Sequence, residues 1–212
     1  MRHRPTHVHE LTSRHLPQYR GLVDASKWDV EGVWLPVSAP LAPFVFYFQW
    51  PDTIKKELAS SQHRSGAISI SDLELMRIIM HWLALEQAVD TALKHQSPVI
   101  WCDNLPAVTW LYKFRTSTST ISGAILRAFA TRLHSCHTGT LSVDHISGVY
   151  NNMADVASRQ HSTIPSQFFT DFSFQFQPPH HASWTLFQFS NMLTSRVCSM
   201  LLQQQLTLAL WR

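Results

Sequence analysis

Cysteine is scarce in this chain. Cys102, Cys136 and Cys198 are an odd number, widely separated, and form no pair with metal-ligand spacing. Neither a disulfide framework nor a cysteine zinc site follows, and the three read as reduced thiols of an intracellular protein, cytoplasmic or nuclear. Charge is also sparse. Charged residues make up 15% of the sequence and the net charge is only +3. That excludes a polycationic coat protein and restricts any nucleic-acid contact to a local patch. No apolar run reaches the ~18 residues that suggest a membrane span. The opening MRHRPTHVHE lacks the apolar centre of a signal peptide.

Apolar residues are plentiful. They make up 45% of 212 residues, enough to bury a substantial core in a domain of ordinary size. Residues 1–19 form a polar, histidine-rich tail. From Gly21 to Pro36, GLVDASKWDVEGVWLP reads as two short strands, Leu22–Val23 and Val33–Leu35, with Asp29, Glu31 and Gly32 in the turn between them. The aromatic stretch from Pro43 to Pro51 makes a third strand, and PDTIKKEL a short helix. A long helix over Ser71–Val89 follows from Leu75, Ile78, Ile79, Trp82 and Leu85 at helical spacing, and Ser71 with Glu74 matches a capping box. Pro98–Asp103 is a buried strand. Leu105, Val108, Leu111 and Tyr112 mark a short helix, and Ile121–Leu133 another with Ile125, Leu126 and Phe129 on its apolar face. Gly139–Ser147 is a strand, and NNMADVASRQ opens a helix. Three strands without intervening helices, then strands alternating with helices, predict an α/β domain over residues 20–162. Its five-stranded sheet is mixed, antiparallel in the first three strands and parallel after them. Residues 163–212 read as an extension, rich in Phe, Gln and Pro without a clear period, ending in an amphipathic helix from Met192 to Leu210.

Four acids fall at ends of these elements. Asp24 follows the first apolar pair, Glu74 lies in the first turn of the long helix, Asp103 ends the fourth strand and Asp155 opens a helix. In α/β sheets, chemistry gathers at strand ends and adjacent helix starts. Four carboxylates gathered there repel one another unless cations sit among them. Oxygen ligands favour Mg²⁺ or Mn²⁺ over zinc, and two such ions about 3.5–4 Å apart suit phosphodiester hydrolysis.

LVDAS, SDLEL, IWCDN and VDHISGVYNNMAD occur in this order, with His145 ten positions and Asn151 four positions before Asp155. Together they resemble the type 1 ribonuclease H family, in the form associated with the reverse transcriptases of retroelements. The resemblance covers residues 20–160, about two-thirds of the chain. It implies a ribonuclease H-like fold and two Mg²⁺ or Mn²⁺ ions, with Asp24 bridging them, Glu74 and Asp103 holding one and Asp155 the other. His145, on a flexible loop, would assist proton transfer or product release. It further implies an RNA–DNA hybrid as substrate, with Ser26, Asn104 and Asn151 touching backbone or 2′-OH. The function implied is hydrolysis of the hybrid's RNA strand by a domain derived from a retroelement polyprotein. A reverse transcriptase encoded upstream is the implied partner, because this chain contains no Tyr-x-Asp-Asp polymerase motif. The alternative is an inactive remnant of the same fold that serves as a connection or binding module.

Each residue also has an ordinary structural role open to it. Glu74 can close a capping box, Asp24 can end a strand in a turn, and Asp103 can cap a helix. Asp155 can complement a helix dipole, and His145 can be a hydrogen-bonded surface histidine. Asp144 points opposite to His145 on a strand and is expected in solvent. The aromatic third strand suits core packing better than base stacking, and Arg115 with TSTST suits a polar linker better than a phosphate site. The early histidines (His3, His7, His9, His15) lack the spacing of a zinc site.

Overall fold

The computed structural model describes residues 17–26, 28–37, 42–61, 63–89, 98–116, 119–136, 141–158, 165–178 and 183–203. The tail over residues 1–16 with its four histidines, the first two residues of the expected strand at 139–147, and the expected helix beyond residue 203 lie outside the described residues.

The strands are β1 (Tyr19–Ala25), β2 (Asp29–Pro36), β3 (Phe44–Gln49), β4 (Val99–Cys102), β5 (Ser142–His145) and β6 (Thr185–Phe187). They form one sheet in the order β5-β4-β1-β2-β3-β6. β1, β2 and β3 pair antiparallel, as their helix-free connections require, whereas β4 joins β1, β5 joins β4 and β6 joins β3 in parallel. The sheet is therefore α/β and mixed as expected, but it has six strands rather than five. The sixth comes from the segment that shows no strand-length alternation: it is three residues long and sits at the edge.

Both faces of the sheet are covered, and the two-residue period of the strands sorts the core accordingly. Tyr19, Val23, Val30, Trp34, Phe44 and Phe46 face the larger core. It is built against α2 (Ile70–Val89), α3 (Leu105–Lys113), α4 (Thr120–Cys136) and α7 (Asn191–Leu201), which supply Ile78, Leu111, Phe129 and Val197 among others. Leu22, Val33 and Val45 face the other side and pack with Ala154 of α5 (Asn152–Ser158) and Phe168 and Phe172 of α6 (Pro165–Gln175). Phe168, Phe172 and Phe176 stand four residues apart, a helical spacing within the segment that reads as aperiodic. The aromatic third strand is core packing, as expected: Phe44 and Phe46 are buried. The short helix α1 (Asp52–Lys56) is also where the sequence places it.

The long helix α2 is the axis of the larger core, buried on every side from Asp72 to Leu85. Its start differs from expectation. Ser69, not Ser71, is the capping serine: the Asp72 amide donates to Ser69 Oγ at 3.2 Å and the Ser69 amide donates to Asp72 Oδ2 at 2.8 Å. The reciprocal box is thus Ser69–Asp72, and Glu74 takes no part in it. Asp72 also accepts from the hydroxyls of Ser119 and Ser122 at the start of α4, which ties the two helix starts together. Among the described residues no helix is long and apolar enough to cross a membrane.

Candidate functional site

The parallel register of β1 and β4 pairs Val23 with Cys102, so the next residues on each strand, Asp24 and Asp103, emerge side by side at one end of the sheet. β4 and β5 pair Cys102 with His145, which brings that histidine to the same end. α2 lies over β1 and β2, and Glu74, in its second turn, reaches the same place from above. Donor atoms of Glu74, Cys102 and Asp103 lie within 4.8 Å of one another, a spacing that one ion can bridge. The Cys102 thiol approaches Glu74 Oε2 at 3.9 Å, and burial, reinforced by Glu74, pushes its pKa up. It remains a protonated thiol, so the donors left to a cation are carboxylate oxygens, which match a hard divalent ion.

The acids act on one another's protonation. Burial raises Glu74 to about 7, with Asp24 and Asp103 adding to the rise and Arg77 opposing it. Asp103 is raised by burial and by Asp24, with Arg77 and His145 acting in the other direction. His145 is exposed, and its Nε2 lies 3.1 Å from the Asp103 carbonyl oxygen. A carbonyl only accepts, so Nε2 is the donor in this contact. His145 is the last residue of β5, not a residue of a flexible loop. Asp144 is exposed, as expected.

Asp155 occupies the first turn of α5, which packs across β1 and β2. It is partly buried, and it is not a member of the close donor group formed by Glu74, Cys102 and Asp103. Asn151 is buried and its Nδ2 donates to the Val23 carbonyl at 3.0 Å, which pins the start of α5 beside β1 one residue before Asp24. Asn104, not Asp103, is the N-cap of α3, accepting from the Ala107 amide at 3.0 Å. That leaves the Asp103 carboxylate out of helix capping. Ser26 closes the β1–β2 connection: its hydroxyl donates to Asp29 and accepts from the Trp28 and Asp29 amides at 3.0 and 3.1 Å. Ser26, Asn104 and Asn151 thus each perform a local structural task.

Asp29 and Glu31 are not turn residues. The connection is short enough that Asp29 already begins β2, and both acids are fully buried. Glu31 pairs with Asp24 across β1–β2 and with Tyr47 across β2–β3, so all three share one face. A carboxylate directly opposite another in a dry interior is unfavourable, and burial together with Asp29 holds the Glu31 pKa well above the usual range. Burial thus favours the protonated form of Glu31. Gly32 likewise lies in β2, and no glycine among the described residues has positive φ.

Two residues of this region escape a reading based on apolar spacing. Arg77 is completely buried on α2, with Nη1 at 3.3 Å from Glu74 Oε2 and 3.7 Å from Asp24 Oδ1, and Nη2 donating to the Asp29 carbonyl at 3.4 Å. His81, four residues on, is also completely buried. Its ring stacks on Trp34 at 4.3 Å between centroids, and Trp34 Nε1 donates to the His81 carbonyl at 2.9 Å. Neither ring nitrogen of His81 has a partner among the described residues, and burial and Arg77 drive its pKa well below the usual value. The ring fits because the sheet beneath it is bare. A Cβ on Gly21 or Gly32 would stand 2.2 Å from a ring nitrogen. Glu74, Arg77 and His81 recur at i, i+3 and i+7, a polar row on the sheet-facing side of an otherwise apolar helix. That row is the signal by which the sequence announces them.

No protein-family model, curated protein or solved structure matches the chain.

Proposed function

We propose that the chain is a ribonuclease H-type domain of type 1, derived from a retroelement polyprotein, that hydrolyses the RNA strand of RNA–DNA hybrids with Mg²⁺ or Mn²⁺. The observation that carries this reading is the meeting of Asp24, Glu74 and Asp103. They come from three stretches far apart in sequence, and they meet at the carboxyl ends of parallel strands. A mixed sheet with an antiparallel β1-β2-β3 unit and parallel β4 and β5 is in keeping with it.

Asp24, Glu74 and Asp103 would hold the cation, with Asp155 approaching from α5 on the opposite side of the sheet. Bound there, a divalent ion supplies an activated water and charge neutralisation at the phosphate. The chain's own residues supply the rest. Glu74 and Asp103 fix the position of attack. His145, held at the exposed rim by the contact of its Nε2 with the Asp103 carbonyl, takes and returns protons. Asn151 holds α5, and with it Asp155, against β1. The upstream reverse transcriptase and the retroelement origin rest on the sequence motifs alone.

A second reading is favoured by one observation: Asp24 and Glu74 are already engaged by a buried guanidinium. In that reading the acids are counter-ions in a fold that has lost catalysis and serves as a connection or binding module. Purified protein incubated with an end-labelled hybrid in Mg²⁺ and in Mn²⁺ decides between them. Cleavage that disappears in Asp24→Asn supports the nuclease. A folded protein inert in both metals refutes it in favour of the remnant.

A further inference from the structure

We propose that the 3-10 turn Gly148–Tyr150 is a nucleic-acid contact, whose Val149 and Tyr150 pack on the sugars of a hybrid in its minor groove and so seat it beside Asp103. This assignment rests on the reading of this end of the sheet as a nuclease site, and it names the surface that receives the substrate there. The turn is placed by its two ends. Before it, the Ile146 amide donates to the Cys102 carbonyl at 3.1 Å, one residue before Asp103. After it, Asn151 Nδ2 donates to the Val23 carbonyl at 3.0 Å, one residue before Asp24. The turn therefore bridges the ends of β4 and β1. Within it the Tyr150 amide donates to the Ser147 carbonyl at 2.8 Å and the Asn151 amide to the Gly148 carbonyl at 3.0 Å, so its backbone is held. Its first residue stands against an acid: a Cβ on Gly148 would lie 3.4 Å from Asp103 Oδ2, an ordinary contact distance.

This anchored turn displays two apolar side chains to solvent. Val149 is 84% exposed and Tyr150 76%, while Asn151 beside them is buried. Single exposed hydrophobics are ordinary on any surface. Among the described residues, however, Val149 and Tyr150 are the only two large exposed hydrophobics that are consecutive, and they border the acids. Apolar area in water is unfavourable until something covers it. Charge narrows what that can be. Asp24 and Asp103 beside the turn offer no attraction to phosphates, so the turn can hold only the uncharged part of a nucleotide. An A-like duplex has the shape for this, because its wide, shallow minor groove opens the sugar edges to side chains while its bases stay stacked. A valine and an aromatic ring on a fixed rib suit that groove. Val149 and Tyr150 are therefore positioning residues, and their contact needs no metal.

Binding of a fluorescently labelled RNA–DNA hybrid to the full chain is followed by anisotropy in EDTA, where no metal-dependent cut occurs, from about 50 to 200 mM salt. Tyr150→Ala should weaken binding roughly tenfold, the scale of one aromatic contact with a nucleotide, and Val149→Ser by a smaller factor. Tyr150→Phe, which keeps the ring, should retain the affinity. The slope of log K against log salt should be the same in all of them, because no phosphate contact has been removed. Phe174→Ala trims another exposed ring, on α6, and should bind as the wild type does. In Mg²⁺ or Mn²⁺, Tyr150→Ala should raise KM and leave kcat unchanged. Far-ultraviolet circular dichroism checks that each variant folds. Unchanged hybrid affinity in Tyr150→Ala would overturn the proposal and leave the pair to a protein partner. An equal loss in Phe174→Ala, or a shallower salt slope in Tyr150→Ala, would overturn it too. A folded wild-type chain that does not bind the hybrid would overturn both this contact and the hybrid as substrate. Binding that depends on Tyr150 in a chain inert in both metals would uphold the contact and refute the nuclease alone.

Discussion

The fit of His81 into the sheet can be broken and repaired. Gly21→Ala adds a Cβ that would lie 2.2 Å from His81 Nε2 and 2.6 Å from Cδ2. The ring cannot yield, because it is completely buried, stacked on Trp34 and flanked by Phe46. Overpacking of this kind costs about 1–3 kcal/mol, and we take the upper half of that range because the blocking group is a rigid ring. Backbone strain adds nothing, since Gly21 has no positive φ. In a His81→Ala background both ring contacts are gone and the next is Trp34 Cη2 at 3.1 Å, so the substitution should be close to neutral, the stiffer unfolded chain offsetting that tight contact. His81→Ala alone should cost about 2–4 kcal/mol through its cavity, somewhat less than a buried phenylalanine, because two unpartnered ring nitrogens leave with it. The double variant should therefore be more stable than the sum of the singles by about 2–3 kcal/mol, or roughly 4–12 °C in Tm at 2–4 °C per kcal/mol. Urea denaturation of the four proteins measures this coupling. Additivity within about 0.5 kcal/mol would refute the steric argument. Gly32 is the poorer site for the cycle, because its Cβ would also strike Phe46 at 2.5 Å, a clash that His81→Ala leaves in place.

Other outcomes follow from the helix start and the buried acids. Ser69→Ala should cost about 1 kcal/mol in urea denaturation and Ser71→Ala only a few tenths; the reverse order would refute the observed cap. Glu74 has its pKa raised in the folded protein to about 7 from an ordinary 4.5, so the folded state binds more protons between those values and stability falls as pH rises through them. The loss approaches about 3 kcal/mol above pH 7 at 1.36 kcal/mol per unit, and Glu74→Gln should remove that share of the slope between pH 5 and 8. The raised Glu31 and Asp103 act in the same direction, so a residual slope should persist, and a slope unchanged by Glu74→Gln would refute the assignment.

Much of this architecture is written in spacing. The 3.6-residue period of Leu75, Ile78, Ile79, Trp82 and Leu85 marks α2, and the apolar run before Asp103 marks β4, because burial of one face or both imposes those patterns. Asp24, Glu74 and Asp103 were legible as a group because each closes or opens such an element. Parity was harder to read. Whether Asp29 lies in a turn or in a strand depends on the length of the connection after Asp24, and the Ser26 hydroxyl bonds that shorten it are a tertiary detail. The capping serine slipped by two residues for a similar reason: both Ser69 and Ser71 have an acid three positions on, and packing against Ser119 and Ser122 favours Asp72. β6 is invisible to any window because three residues carry no period; its partner strand defines it.

The borders of the sheet show what the last segment does for the chain as a whole. At one side β5 is four residues long and largely exposed, with Asp144 and His145 on it, a poor template for another strand. The opposite border would be β3, whose Phe44, Phe46 and Phe48 line one face and whose amides and carbonyls would be open. β6 takes up that hydrogen-bonding edge, and Phe187 and Phe189 cover the rings of Phe44 and Phe46. Residues 185–189 therefore act as a selvedge: they keep the most adhesive strand of the molecule from pairing with its neighbour's, so that solubility depends on a segment remote from the acids.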